Sequence, residues 1–245
     1  MDWANLRIGR EQHAFIAGAT GSGKSKLAEF LIRDPGKPYS VALDPKHSRT
    51  VGEWGGQVYI YSWRELTESK ERRIVYRPSR EKYLKAGRLT NEAEDADCQE
   101  EFFQYVFDGK RRRVYVDEAS ALLGETRPNY HLKGCITRGR ELGISTVCAT
   151  QRPVSIPIIT MSEASKVYIF RLNWPDDQKR MSDLTGGRIS VDEQAALKDY
   201  EFLYYDLAKR WRHPKPIKLN LLNINQSRIP PPLSQYQSQR EIVYG

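Results

Sequence analysis

Three short segments of this 245-residue sequence carry side chains whose types and spacing suit phosphate chemistry. The first, Gly18-Ala19-Thr20-Gly21-Ser22-Gly23-Lys24-Ser25, follows the pattern G-x-x-x-x-G-K-S. Glycines let backbone N–H groups converge on phosphate oxygens with no Cβ in the way, and a helix starting at the lysine adds its positive dipole end. The segment predicts a nucleotide site for ATP and Mg²⁺ built from Gly18, Thr20, Gly21, Ser22, Gly23, Lys24 and Ser25. Lys24 would reach the β- and γ-phosphates, and Ser25 would hold the metal ion.

The second segment is Arg113-Val114-Tyr115-Val116-Asp117-Glu118, an apolar run ending in two acids. Parallel strands present their functional residues at their C-terminal ends. Asp117 there suits Mg²⁺, directly or through water, and Glu118 suits the attacking water as base or orienter. An ordinary strand ending in acidic turn residues is the plainer alternative. The third segment is Thr150-Gln151, where an amide can donate to the γ-phosphate or to the lytic water; taken alone, it reads equally as a polar strand end.

These residues need elements to hold them. His13–Ala17 reads as a buried strand entering the loop. Residues 24–33 read as a helix stopped by Asp34-Pro35-Gly36. Strands are expected at 39–43, 57–61, 73–76, 114–116, 144–149, 167–172 and 201–205. Helices are expected at 91–107, capped by Asn91, at 130–142, and at 175–184 with its early proline. Strands alternating with helices predict an α/β fold with a mostly parallel central sheet covered by helices on both faces.

Bulk properties narrow the class. Apolar residues at 39% and charged ones at 29% suit a water-soluble globular domain. The formal charge of +8 favours polyanionic partners. Cys98, Cys135 and Cys148 are widely spaced and odd in number, which argues against a disulfide framework. No apolar run nears the roughly 20 residues a bilayer span needs, so no membrane insertion is expected and a cytoplasmic location is. Residues 1–220 read as one motor-sized domain, and residues 221–245, rich in Pro, Gln and Ser, as an extended tail.

Four segments together resemble the FtsK–HerA superfamily of ring-forming, DNA-pumping P-loop ATPases. These are the loop at residues 13–25, Leu43-Asp44-Pro45-Lys46, Val116-Asp117-Glu118, and Arg140-Glu141-Leu142-Gly143-Ile144 running to Ala149-Thr150-Gln151-Arg152-Pro153. The resemblance covers residues 11–184 and implies a RecA-like (ASCE) P-loop NTPase fold. It also implies that Gln151 senses the γ-phosphate. Arg140, with Arg138 as the alternative, would be an arginine finger supplied to a neighbouring subunit of a pentameric or hexameric ring. Guanidinium is suited to charge on a transferring phosphoryl group.

Within that superfamily, size and missing parts point to a viral genome-packaging motor. It would act on double-stranded DNA and could dock on a capsid, portal or capsid-vertex component of a procapsid in a host cytoplasm. A HerA-like repair or conjugation ATPase is the main alternative. A small-molecule kinase and a nucleotide-switched scaffold are further ones. Lys46, His47 and Arg49 are candidate DNA contacts. The basic stretches 110–113 and 209–218 suit either DNA, a partner or plain solvation.

Overall fold

The computed structural model describes residues 6–33, 39–109, 112–123 and 129–219. The expected helix stop at 34–36, Lys110, Arg111 and the tail from 221 lie outside the described residues.

The strands are β1 (His13–Ala17), β2 (Ser40–Leu43), β3 (Val58–Ile60), β4 (Arg73–Tyr76), β5 (Tyr83–Lys85), β6 (Arg88–Thr90), β7 (Arg113–Val116), β8 (Ser145–Thr150), β9 (Ala164–Phe170), β10 (Glu201–Asp206), β11 (Trp211–Arg212) and β12 (Ile217–Lys218). The helices are α1 (Lys24–Ile32), α2 (Arg49–Gly52), α3 (Trp63–Glu68), α4 (Ala96–Gly109), α5 (Ala119–Leu123), α6 (Tyr130–Thr137), α7 (Gly139–Leu142), α8 (Ile158–Ser162), α9 (Pro175–Leu184) and α10 (Val191–Ala195).

One large sheet has the order β11-β10-β9-β1-β8-β7-β2-β4-β3, and β12 also pairs with β10. From β9 to β3 every pairing is parallel, whereas β10 runs antiparallel to β9, β11 and β12. Because strand side chains alternate between faces, two cores form. Ala14, Ile16, Ala42, Tyr115, Val147 and Ala149 pack with Leu27, Phe30 and Leu31 of α1 on one face. Phe15, Val41, Val114, Val116 and Cys148 pack with Phe102, Phe103 and Val106 of α4 and Leu132 and Ile136 of α6 on the other. The expected two-faced α/β sheet is the observed one.

Two expected helices differ in extent. The helix expected from residue 91 starts at Ala96. Asn91 does accept a side-chain hydrogen bond, from the Glu94 amide, but in a preceding turn. Asp95 receives the amides of Asp97 and Gln99 where the helix starts. The helix expected over 130–142 is two pieces broken at Arg138. Gly139 opens the second piece, where a Cβ would lie 3.0 Å from the Ile144 carbonyl and 3.1 Å from the His13 ring, so the close approach there favours glycine.

The basic stretch 209–218 belongs to the sheet edge. Arg212 pairs with Glu193 and Ile217 is buried. Arg113 is fully buried, donating to the carbonyls of Ile8, Gly9 and Leu31 and to Ser145 Oγ. It fastens the segment before β1 to the sheet, so it is neither a solvated turn residue nor placed to touch a partner.

Candidate active site

The strand order decides what meets at the C-terminal edge of the sheet. β8 lies between β1 and β7, so the end of β8 falls between the Gly-rich loop and the Asp117-Glu118 pair. Running along this edge from β10 to β2, one meets the turn before β10, then Arg171 after β9. The loop after β1, Gln151 after β8, Asp117 and Glu118 after β7, and Asp44 to Lys46 after β2 complete the row.

The loop itself is shaped by its glycines. A Cβ on Gly18 would come within 2.6 Å of Phe170 Cβ and 2.7 Å of Ser22 Oγ. Gly23 has φ 110°, a left-handed value that penalises other residues, and it caps α1 without any side-chain bond to the helix amides. The first-turn N–H groups of α1 are therefore left for an anion. Ser22 Oγ is buried with no hydrogen-bond partner among the described residues, a further orphan that phosphate oxygen satisfies. Lys24, 8% exposed, donates to the carbonyls of Gly18 at 2.7 Å and Ala19 at 2.8 Å. Burial holds its pKa below the ordinary lysine value, against the opposing pull of Asp117 and Glu118.

Ser25 and Asp117 converge through Tyr115. The Tyr115 hydroxyl donates to Asp117 Oδ1 at 2.8 Å, and the nearby Ser25 side chain offsets part of the rise in pKa that burial imposes on it. A hydroxyl and a carboxylate one hydroxyl apart fit Mg²⁺, which takes few protein ligands and completes its shell with phosphate oxygens and water. Among the described residues no cluster of three or more His, Cys, Asp or Glu competes for a metal.

Glu118 is the most constrained residue of the site. It sits at φ 54°, in the left-handed region that costs a non-glycine residue energy. Its Oε1 accepts from Ser120 Oγ at 2.6 Å, Thr150 Oγ1 at 2.9 Å and the Gln151 amide at 3.3 Å. The Gln151 side chain in turn accepts from Thr20 Oγ1 at 2.7 Å. The Gly-rich loop, the end of β8 and Glu118 are thus one hydrogen-bonded unit. Arg152 pairs with the buried Asp177 of α9, fixing the chain just past Gln151.

The other expected residues lie elsewhere. Arg140 and Arg138 stand before β8, at the opposite edge of the sheet from their own Gly-rich loop. Six residues of strand separate the edges by about 20 Å. Arg140 donates to the Glu163 carbonyl at 2.8 Å and its side chain is 50% exposed, while Arg138 lies over the Phe107 ring. Of the candidate DNA contacts, Arg49 pairs with Glu53, and His47, at φ 52°, is pinned to the Pro78 carbonyl. Lys46 lines an open cleft of about 340 Å³ together with Asp117 and Glu118.

Sequence reasoning missed the other flank. A hollow of about 150 Å³ beside the loop is lined by Thr20, Ser22, Arg171, Asp199 and Tyr200. Tyr200 holds φ 62° and receives the Leu219 amide at its carbonyl; a Cβ on Gly23 would be 3.2 Å from its ring. Arg171 pairs with Asp199 at 3.3 Å. An aromatic ring, a guanidinium and a carboxylate next to a phosphate loop suit a base and its ribose. The signal available was Asp199-Tyr200 directly before a late strand.

Fold and site together define a RecA-like P-loop NTPase. No protein-family model matches the sequence, and no curated protein matches it either. Solved structures do. The genome packaging NTPase B204 of Sulfolobus turreted icosahedral virus 2, in complex with AMPPCP, aligns over 86% of this chain and 100% of its own with a TM-score of 0.67 at 16% identity. B204 of Sulfolobus turreted icosahedral virus, a DNA-packaging ATPase, gives 0.64 at 17% over 87% of this chain and all of its own. The pCW3 conjugation coupling protein TcpA gives 0.50 at 14%, over 89% of this chain and 65% of its own. At these identities the likeness is one of fold, and it is the fold that the FtsK–HerA resemblance implies. Among the described residues no helix is long and apolar enough to cross a membrane.

Proposed function

We propose that the chain is an ATP-hydrolysing motor that moves double-stranded DNA, acting as a ring in viral genome packaging. The observation that carries the reading is the shared hydrogen-bonded unit of Thr20, Gln151, Thr150 and Glu118. Many P-loop proteins that pass phosphate to a small acceptor do without such a glutamate, whereas a hydrolase has to activate water.

In this mechanism the loop amides and Lys24 hold the β- and γ-phosphates, and Tyr200 with Asp199 receives base and ribose. Ser25 and Asp117 hold Mg²⁺, which when bound neutralises charge on the phosphate oxygens. Glu118 accepts a proton from water as its oxygen bonds to the γ-phosphorus and the bond to the bridging oxygen breaks, leaving ADP and phosphate. Gln151 shares its contact with Glu118 and Thr20, so a change at the γ-phosphate alters both. Arg140, far from its own site, serves a neighbour's. The +8 charge and the packaging roles named for the B204 structures support DNA as cargo. A capsid or portal component is the docking partner, and the work is done in a host cytoplasm.

The test is ATP turnover with and without long duplex DNA, alongside the mass of the assembly. Stimulation by DNA and a mass of five or six chains are expected. Glu118→Gln should lower turnover roughly 10²–10³-fold while ATP still binds. Turnover indifferent to DNA, or dependent on a small acceptor, removes the motor reading.

A further inference from the structure

Beyond the acid pair, the cleft at the phosphate end of the site is lined by a lysine, on a loop built to place it. β2 and β7 pair in register, Leu43 beside Val116, so Asp44-Pro45-Lys46 emerges next to Asp117-Glu118. The loop is pinned at three points. Asp44, fully buried, accepts from the Ser48 amide at 2.9 Å and from Arg77 Nε at 3.0 Å. Arg77 also donates to the Ser48 carbonyl at 3.0 Å, closing the loop from outside. His47 is held at a left-handed φ of 52° by its contact with the Pro78 carbonyl. A strained residue persists only where its surroundings over-determine it, and such strain gathers at functional positions.

What this framework presents is Lys46. Its side chain has no hydrogen bond or ion pair among the described residues and lines the cleft it shares with Asp117 and Glu118. Arg80 and Glu94 line the same cleft. The site also has a direction. Tyr200 and Arg171 mark the base end, and the order β10-β9-β1-β8-β7-β2 puts Lys46 beyond the γ-phosphate end. The cleft thus carries cations, Lys46 and Arg80, as well as carboxylates, which suits a phosphoryl group entering with its metal ion.

Resting on the ATPase reading above, we propose that Lys46 is a second phosphate-binding lysine, contacting the γ-phosphoryl group from the side opposite Lys24. It supplies in the same subunit a positive charge where negative charge is spread in the transition state. Its role is nucleotide chemistry, and the pinned loop of Asp44, Arg77 and His47 positions it.

The experiment compares the parent with Lys46→Ala, Lys46→Arg and the surface control Arg64→Ala, on α3 and paired with Glu68. It reads equilibrium binding of ADP and of a slowly hydrolysed ATP analogue, DNA-free turnover, and duplex DNA binding. Lys46→Ala should lose the preference for the triphosphate analogue over ADP by about tenfold, with ADP affinity kept, and should lower kcat roughly 100-fold. Lys46→Arg should recover part of both, and Arg64→Ala should match the parent. Unchanged analogue binding and unchanged DNA-free turnover in Lys46→Ala overturn the proposal. Loss of duplex binding alone assigns Lys46 to DNA instead. The binding arm needs no turnover, so a parent that binds ATP without hydrolysing it sinks the hydrolase reading and still tests Lys46. A parent that binds no nucleotide sinks both.

Discussion

At the C-terminal edge of the sheet, one oxygen of Glu118 is shared among Ser120, Thr150 and the Gln151 amide. At the N-terminal edge, two arginines show contrasting fates. Arg113 is fully buried with four acceptors. Arg140 is half exposed, held among the described residues by the Glu163 carbonyl and a distant contact with its carboxylate. On this edge Arg113 is saturated with internal partners, whereas Arg140 stands half exposed. The difference separates a residue that builds this subunit from one whose side chain stays accessible.

The sharpest way to break that comparison is to remove each arginine. Arg140→Ala should lower turnover about 10³-fold, the scale of a lost arginine finger. ATP affinity should be nearly unchanged and thermal stability within about 0.5 kcal/mol of the parent. Normal turnover would end the trans-finger assignment. Mixing Arg140→Ala with Glu118→Gln chains should restore activity in part, because some interfaces then pair an intact finger with an intact acid. Arg113→Met should do the reverse. Orphaning buried carbonyls of Ile8, Gly9 and Leu31 should cost roughly 3 kcal/mol in urea unfolding, with per-molecule turnover retained in the folded fraction.

The smallest effect concerns Lys24. Burial lowers its pKa, and a bound polyphosphate raises it again. Nucleotide binding should therefore take up protons at alkaline pH, and affinity should fall as pH rises through the pKa of Lys24 in the free protein. Calorimetry in two buffers of different ionisation enthalpy reads this directly. Lys24→Arg, always charged, should abolish the uptake, whatever it does to affinity.

The parts of the site written contiguously were legible in the sequence: the loop 18–25, the acids at 117–118, and Thr150-Gln151. Each sits at a strand end that its own apolar run announces. The use of Lys46 was not legible, because it depends on β2 pairing with β7 across seventy residues of chain. Tyr200 was hidden likewise: the antiparallel return of β10 brings it to Gly23. Local signals were also passed over. Ser190 and Glu193 form a capping box at the start of α10, and Ala86-Gly87, both at positive φ, turn the β5–β6 hairpin. The close approach of Gly139 to His13, beside the break in the helix expected at 130–142, is likewise something periodicity cannot carry.

Strand β8 has a mechanical consequence. Its far end carries Gln151, which is bonded to the loop side chain Thr20. Its near end follows directly from α7 and Arg140, through a hydrogen bond from the Ile144 amide to the Gly139 carbonyl. An extended strand paired on both sides hardly compresses. In the proposed ring it would tie the Thr20–Gln151 contact at one edge of a subunit to the guanidinium at its opposite edge.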